Sequence, residues 1–115
     1  MGKVHKEGLE TLVVRKLGPQ WWRVEEDFKN PWQVVPKGFE FDGASVPQML
    51  WGFLDSAGEA FEAACVHDYF YVTTLRDKEY ADTVFYQMLL RYGVPEYKAK
   101  VAYRAVRRFG KGAYK

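Results

Sequence analysis

Two short stretches of this chain carry the residue types that could do chemistry. The first is Ala63-Ala64-Cys65-Val66-His67-Asp68-Tyr69-Phe70-Tyr71, and the second is Ala81-Asp82-Thr83-Val84-Phe85. His67 is the only histidine outside the N-terminal tail, and it sits inside an apolar run of helical character. Asp82 stands as far beyond the turn expected at Thr74-Leu75 as His67 stands before it. If the two segments form an antiparallel helix hairpin, the two side chains face each other across it. A histidine held by an inward carboxylate is the minimal equipment of a general base: the carboxylate fixes the tautomer, and the other ring nitrogen is left to activate water. The same pair could instead close a buried hydrogen-bond network that only rigidifies the core. Asp68 is rotated about 100° around the helix from His67 and cannot join the same pair. It is placed to hold a cation at the edge of the site. Calcium is a candidate, because it takes carboxylate and loop carbonyl oxygens, and Phe41-Asp42-Gly43-Ala44-Ser45 is a loop that could supply carbonyls. Asp42-Gly43 is equally a common turn pair, and Asp68 could be spent on a salt bridge.

The elements that must position these residues follow from pattern. Leu9–Val14, Trp21–Val24 and Trp32–Val35 read as short strands, the last extended by Phe39-Glu40-Phe41, with turn signals at Gly18-Pro19 and Asn30-Pro31. Connections this short imply an antiparallel meander. Pro47 can open a short helix whose apolar bulk is Met49, Leu50, Trp51, Phe53 and Leu54. After Gly58 comes the His67 helix, with Ala60, Ala63, Ala64, His67, Phe70 and Tyr71 on one stripe. Asp77 is a suitable N-cap for the next helix, on which Asp82, Phe85 and Leu89 share a face. Gly93-Val94-Pro95 ends it. A last helix over 96–109 is expected to bury Tyr97, Val101, Ala105 and Phe109 beside a basic stripe of Lys100, Arg104, Arg107 and Lys111. The expected fold is α+β: a small N-terminal antiparallel meander packed on a C-terminal three-helix unit that contains an antiparallel helix hairpin. One domain is expected over 1–115, with the β-rich part at about residues 8–45 and the helical part at about residues 47–112.

Composition narrows the function classes. The chain has 115 residues, 17% of them aromatic, and one cysteine, so no disulfide can form within it. Cys65 has apolar neighbours and reads as a small core residue. No run is long and apolar enough for a membrane span. The start lacks the apolar core of a signal peptide. Residues 91–115 hold eight Lys/Arg and one acid, whereas residues 1–90 hold nine Lys/Arg and fourteen acids. That basic end could meet an acidic or phosphate-rich surface, or simply be solvated. Nucleic acid is a weak candidate, since no recognition motif supports it. No zinc pattern or phosphate-cradling loop is present. Ser45 lacks a nucleophile-elbow context, and no second histidine supports a Ser-His-Asp arrangement around it.

Two resemblances rest on these residues. The ordered series Pro36-x-Gly38-Phe39, Asp42-Gly43-Ala44-Ser45-Val46-Pro47, Trp51, Ala63-Ala64-x-x-His67-Asp68-Tyr69-x-Tyr71, Ala81-Asp82-x-x-Phe85 and Ala105-Val106-Arg107-x-Phe109-Gly110 resembles the phage and prophage family called domain of unknown function 1353. This implies a phage or prophage origin, with residence in the host cytoplasm or the virion, and carries no activity with it. The narrower series around His67, Asp68, Tyr71 and Asp82 is similar to the catalytic helix pair of phospholipases A2. That likeness implies hydrolysis of glycerophospholipid esters, with His67 as base, Asp82 orienting it, Tyr71 supporting the network and Asp68 ligating calcium. It departs from the family pattern in lacking the Gly-x-Gly calcium loop, for which Asp42-Gly43 is the nearest substitute. The basic last helix would then attract an anionic phospholipid surface. The alternative is a non-enzymatic virion or assembly protein whose partners are phage structural proteins.

Overall fold

The computed structural model describes residues 11–54 and 60–110. Three strands, β1 (Val14–Gly18), β2 (Trp21–Val24) and β3 (Glu40–Phe41), form one antiparallel sheet in the order β1-β2-β3. The register pairs Val14 with Val24 and Trp22 with Phe41, and an irregularity between Lys16 and Gly18 lets the tight Pro19-Gln20 turn close. The inward face carries Val24 and Phe41, with Trp22 half-buried beside them.

The meander differs from expectation in two places. The first strand begins at Val14 and runs on to Gly18; Leu9 and Glu10, expected at its start, lie outside the described residues. The expected third strand at Trp32–Val35 is reduced to a single bridge between Phe28 and Val35. The physical reason is Asn30. Its Oδ1 accepts from the backbone N–H groups of Trp32 and Gln33 at 2.9 Å each, and its amide donates to the carbonyls of Phe28 and Gln33. The Trp32 and Gln33 groups are thereby engaged within the loop, and Pro31 and Pro36 have no N–H to offer a ladder.

The helical part holds α1 (Gln48–Leu54), α2 (Phe61–Thr73), α3 (Lys78–Arg91) and α4 (Glu96–Phe109). Helix α2 ends at Thr74, which takes a left-handed conformation (φ 49°), with its N–H on the Phe70 carbonyl. Asp77 caps α3, accepting from the Tyr80 N–H at 2.8 Å. The two helices form the expected antiparallel hairpin, and Ala63, Ala64 and Ala81 are buried in it, small enough for close approach. Helix α4 packs on α3 through a different face from the one expected. Ala99, Ala102 and Val106 are buried, whereas Tyr97, Val101 and Phe109 are exposed. Two alanines at the contact let the helix axes approach, which large side chains on the alternative face would prevent. In α1, Leu50 and Leu54 enter the core, Met49 and Phe53 stay exposed, and Trp51 packs against the loop that precedes the helix. No described helix is long and apolar enough to cross a membrane.

Candidate functional site

His67 lies in the middle of α2 and Asp82 in the first turns of α3, and both are wholly buried. The hairpin brings His67 Nε2 to 2.6 Å from Asp82 Oδ1. Tyr71, one turn after His67, donates its hydroxyl to the same oxygen at 2.6 Å. Asp82 Oδ2 receives Lys78 Nζ at 2.9 Å and Arg107 Nη1 at 3.1 Å. Lys78 also donates to the carbonyls of Val106 and Arg107, at 2.8 and 3.0 Å, in the last turn of α4. One carboxylate thus ties α2, α3 and α4 together. Lys78 in addition satisfies helix-end carbonyls, where a cation is favoured by the helix dipole.

The second half of the site joins α2 to the loop after β3. Asp68 accepts from the Gly43 N–H at 2.7 Å and the Ser45 N–H at 3.2 Å, and from the Ser45 hydroxyl. Ser45 Oγ lies 2.9 Å from His67 Nδ1. The loop can make this approach because Gly43 adopts φ +76° and because a Cβ there would stand 2.8 Å from the Trp51 ring. Gly110 has a similar reason to lack a side chain: a Cβ would meet the Tyr71 hydroxyl at 2.6 Å. The result is a continuous chain, Asp68–Ser45–His67–Asp82, four side chains from one loop and two helices.

Electrostatics sets the protonation of this chain. Burial pushes the Asp82 carboxyl up, but hydrogen bonds from His67, Tyr71 and Lys78 overcome it and hold its pKa at about 2. Asp82 is therefore ionised at neutral pH, and Nε2 must carry the proton it donates. Burial lowers the His67 pKa against the pull of Asp82, and burial raises that of Asp68 against its hydrogen bonds from Ser45 and Gly43. Both shifts favour a neutral imidazole protonated at Nε2, with Nδ1 an acceptor that shares the single Ser45 hydroxyl proton with Asp68. That is the tautomer a general base requires.

The residues expected at the site are all placed close to it, though in different relations. His67, Asp82 and Tyr71 meet directly. Among the described residues Asp68 holds no salt bridge; it meets the Asp42-Gly43 loop, but through N–H donors rather than carbonyls. The Asp42 side chain stays in its own turn, accepting from the Ala44 N–H at 2.9 Å. Among the described residues, no group of three or more His, Cys, Asp or Glu side chains is arranged to hold a metal ion. Three contributors escaped the sequence reading. Ser45 has no nucleophile-elbow context to flag it, although it lies within the motif series that names the loop. Lys78 stands four residues before Asp82, a spacing that could have flagged it. Arg107 falls, by its spacing in sequence, in the basic stripe of the last helix. The Cys65 thiol is buried and its pKa is raised, first by desolvation and then by Asp68 and Glu62, as suits an inert core thiol.

Two clefts flank the loop. One of about 570 Å³ is walled by Trp21, Glu40, Asp42, Asp68 and Val72. The other, of about 440 Å³, is walled by Gly43, Ala44, Pro47, Trp51 and Phe109.

Fold and site together define a small α+β domain in which a helix hairpin buries a His–Asp pair beneath a glycine-containing loop. Residues 20–106 match the family model described as "Protein of unknown function (DUF1353)", and the chain belongs to that family. Two proteins of Sinorhizobium fredii (strain NBRC 101917 / NGR234) are similar to it. "Uncharacterized protein y4jT" is 38% identical over 78 residues, covering 66% of this chain and 23% of that protein. "Uncharacterized protein y4iH" is 36% identical over 81 residues, covering 69% of this chain and 34% of that protein. The matched part of the chain thus spans only a quarter to a third of these relatives' length. No solved structure matches significantly.

Proposed function

We propose that this phage-family domain is a phospholipase A2-like hydrolase of glycerophospholipid esters, with His67 as general base and Asp82 as the residue that orients it. The observation that supports the reading is the geometry of His67, with Nε2 2.6 Å from Asp82 Oδ1 and Nδ1 2.9 Å from Ser45 Oγ. Ser45 Oγ stands where a nucleophilic water would stand. Withdrawal of loop 42–46 would join the two flanking clefts over Nδ1 and admit water and ester. The water oxygen attacks the acyl carbon and its proton passes to Nδ1. The ester C–O bond then breaks, and the same proton leaves with the alcohol, giving a fatty acid and a lysophospholipid. Asp82 stabilises the transient imidazolium, and Tyr71 holds Asp82 in place. The Asp68 oxygens face N–H and O–H donors here, so no step is routed through calcium. Calcium at Asp68, Asp42 and Gly43 is a separate arm of the test.

The test is fatty-acid release from anionic liposomes, with calcium and with chelator, by wild type, His67→Ala and Ser45→Ala proteins of verified fold. Release that is lost in His67→Ala and kept in Ser45→Ala supports water activated by His67. Loss of a general base costs on the order of 10²–10⁴ in rate. Release equally lost in Ser45→Ala would make Ser45 the nucleophile instead, and no release by folded wild type overturns the hydrolase.

One observation favours a second reading. His67 and Asp82 are fully buried, and both ring nitrogens and all four carboxylate oxygens of Asp68 and Asp82 have partners within the chain. Such a sealed network suits a non-enzymatic virion or assembly protein that docks on phage structural proteins. In that case His67→Ala lowers the melting temperature, no ester is cleaved, and the protein copurifies with particles.

A further inference from the structure

A separate cleft of about 400 Å³ lies between α3 and α4, walled by Thr83, Tyr86, Lys100, Tyr103 and Arg104. Its composition is unlike that of the clefts around loop 42–46. It offers three hydroxyls, an ammonium and a guanidinium, and no carboxylate. The Tyr86 and Tyr103 rings stand 5.7 Å apart, tilted by 57°, and give it an aromatic wall.

The structure also divides the basic stripe of α4. Arg107 is spent on Asp82, and Lys111 lies outside the described residues. Lys100 and Arg104, one helical turn apart, are left on the rim of the cleft. Among the described residues Lys100 has only the exposed partner Glu96 at 3.4 Å, a pair of a kind that contributes little. No carboxylate pairs with Arg104 among the described residues. A planar guanidinium and an ammonium lining one cleft with hydroxyl donors are groups that complement a tetrahedral oxyanion, and the flat rings suit the body that carries it.

We infer that the α3–α4 cleft binds the phosphate group of a small phosphate ester, held by Arg104 and Lys100, with Tyr86 and Tyr103 against the rest of the molecule. The inference does not rest on the hydrolase reading, since it uses none of the catalytic residues, although Lys100 and Arg104 belong to the basic stripe that reading turns to an anionic surface. Isothermal titration of the full chain with adenosine monophosphate, glycerol 3-phosphate and inorganic phosphate tests it. Saturable binding of at least one ester is expected, weakened about tenfold or more in each of Arg104→Ala and Lys100→Ala, because each removes a charge-assisted hydrogen bond. A nucleotide that binds more tightly than glycerol phosphate, with the difference lost in Tyr103→Ala, identifies an aromatic body. Equal binding of the two esters identifies the phosphate alone as the recognised group. Absence of saturable ester binding at millimolar concentration overturns the inference. So does binding indifferent to both cation substitutions, with the fold of each variant checked by circular dichroism.

Discussion

Asp82 receives four side-chain donors, from His67, Tyr71, Lys78 and Arg107, and has no exposed surface. A buried carboxylate in that position is tolerable only because every lone pair is used and two cations offset its charge. Removing the charge while keeping the shape leaves Lys78 and Arg107 without their counterion and obliges an amide to face donors it cannot accept from. Asp82→Asn is therefore expected to cost roughly 3 kcal/mol of stability, measured by urea unfolding. A loss below about 1 kcal/mol would place the pair among the weak surface-type interactions. His67 is packed as closely as it is bonded, with the Tyr71 and Phe85 rings 4.3 and 4.7 Å from its own. Those rings fix its orientation, and with it the direction of Nδ1.

At the scale of elements, the short loop between β3 and α1 carries the tightest constraint. Gly43 is in the left-handed region, its N–H holds Asp68, and the Trp51 ring closes over the place where a side chain would be. Two penalties meet at one residue: backbone strain and a steric clash. Gly43→Ala should destabilise the domain through both, by about 1–3 kcal/mol in total. Trimming the ring in Gly43→Ala/Trp51→Ala removes the clash and leaves the strain. A double-mutant cycle should therefore show the two substitutions costing less together than the sum of their separate effects. Strict additivity would mean that the Trp51 ring gives way freely. The exposed face of α4 belongs to this scale too. Ala99, Ala102 and Val106 satisfy the packing requirement, so Tyr97, Val101 and Phe109 are left as surface.

For the whole molecule, the buried titrating groups link folding to pH with opposite signs. His67 is lowered from 6.5 by burial, so its contribution is present above that value and is lost as acid protonates the unfolded chain. Asp82 is lowered from 3.8 to about 2, so its contribution is present above 3.8 and is lost as pH falls towards 2. Asp68 is raised from 3.8 by burial, so it favours the folded state on the acid side and gives that up as pH rises through its folded value. Between the ordinary values of 6.5 and 3.8, His67 and Asp68 act on stability with opposite signs. Calorimetry across that range should show a shallower loss of melting temperature on acidification in His67→Gln than in wild type, and a steeper one in Asp68→Asn. Parallel curves for all three proteins would mean that neither group's titration is coupled to folding.

Much of this arrangement was legible in the sequence because it is local. Helical periodicity, the Asp77 cap and the equal distances of His67 and Asp82 from the turn are properties of neighbouring residues, and they determined the hairpin and the His–Asp contact. The α+β order and the family motifs were readable on the same terms. What the sequence left open depends on residues far apart in the chain. Ser45 meets His67 and Asp68 only because β3 and α1 anchor the two ends of their loop against α2, and no period in the sequence records that approach. Helix α4 offered two apolar faces, and the close approach to α3 chose the one with small residues. That choice in turn carried Arg107 and the carbonyls of the last turn to Asp82 and Lys78. Local pattern decides which elements form; side-chain volume and the pairing of buried charge across the chain decide how they meet.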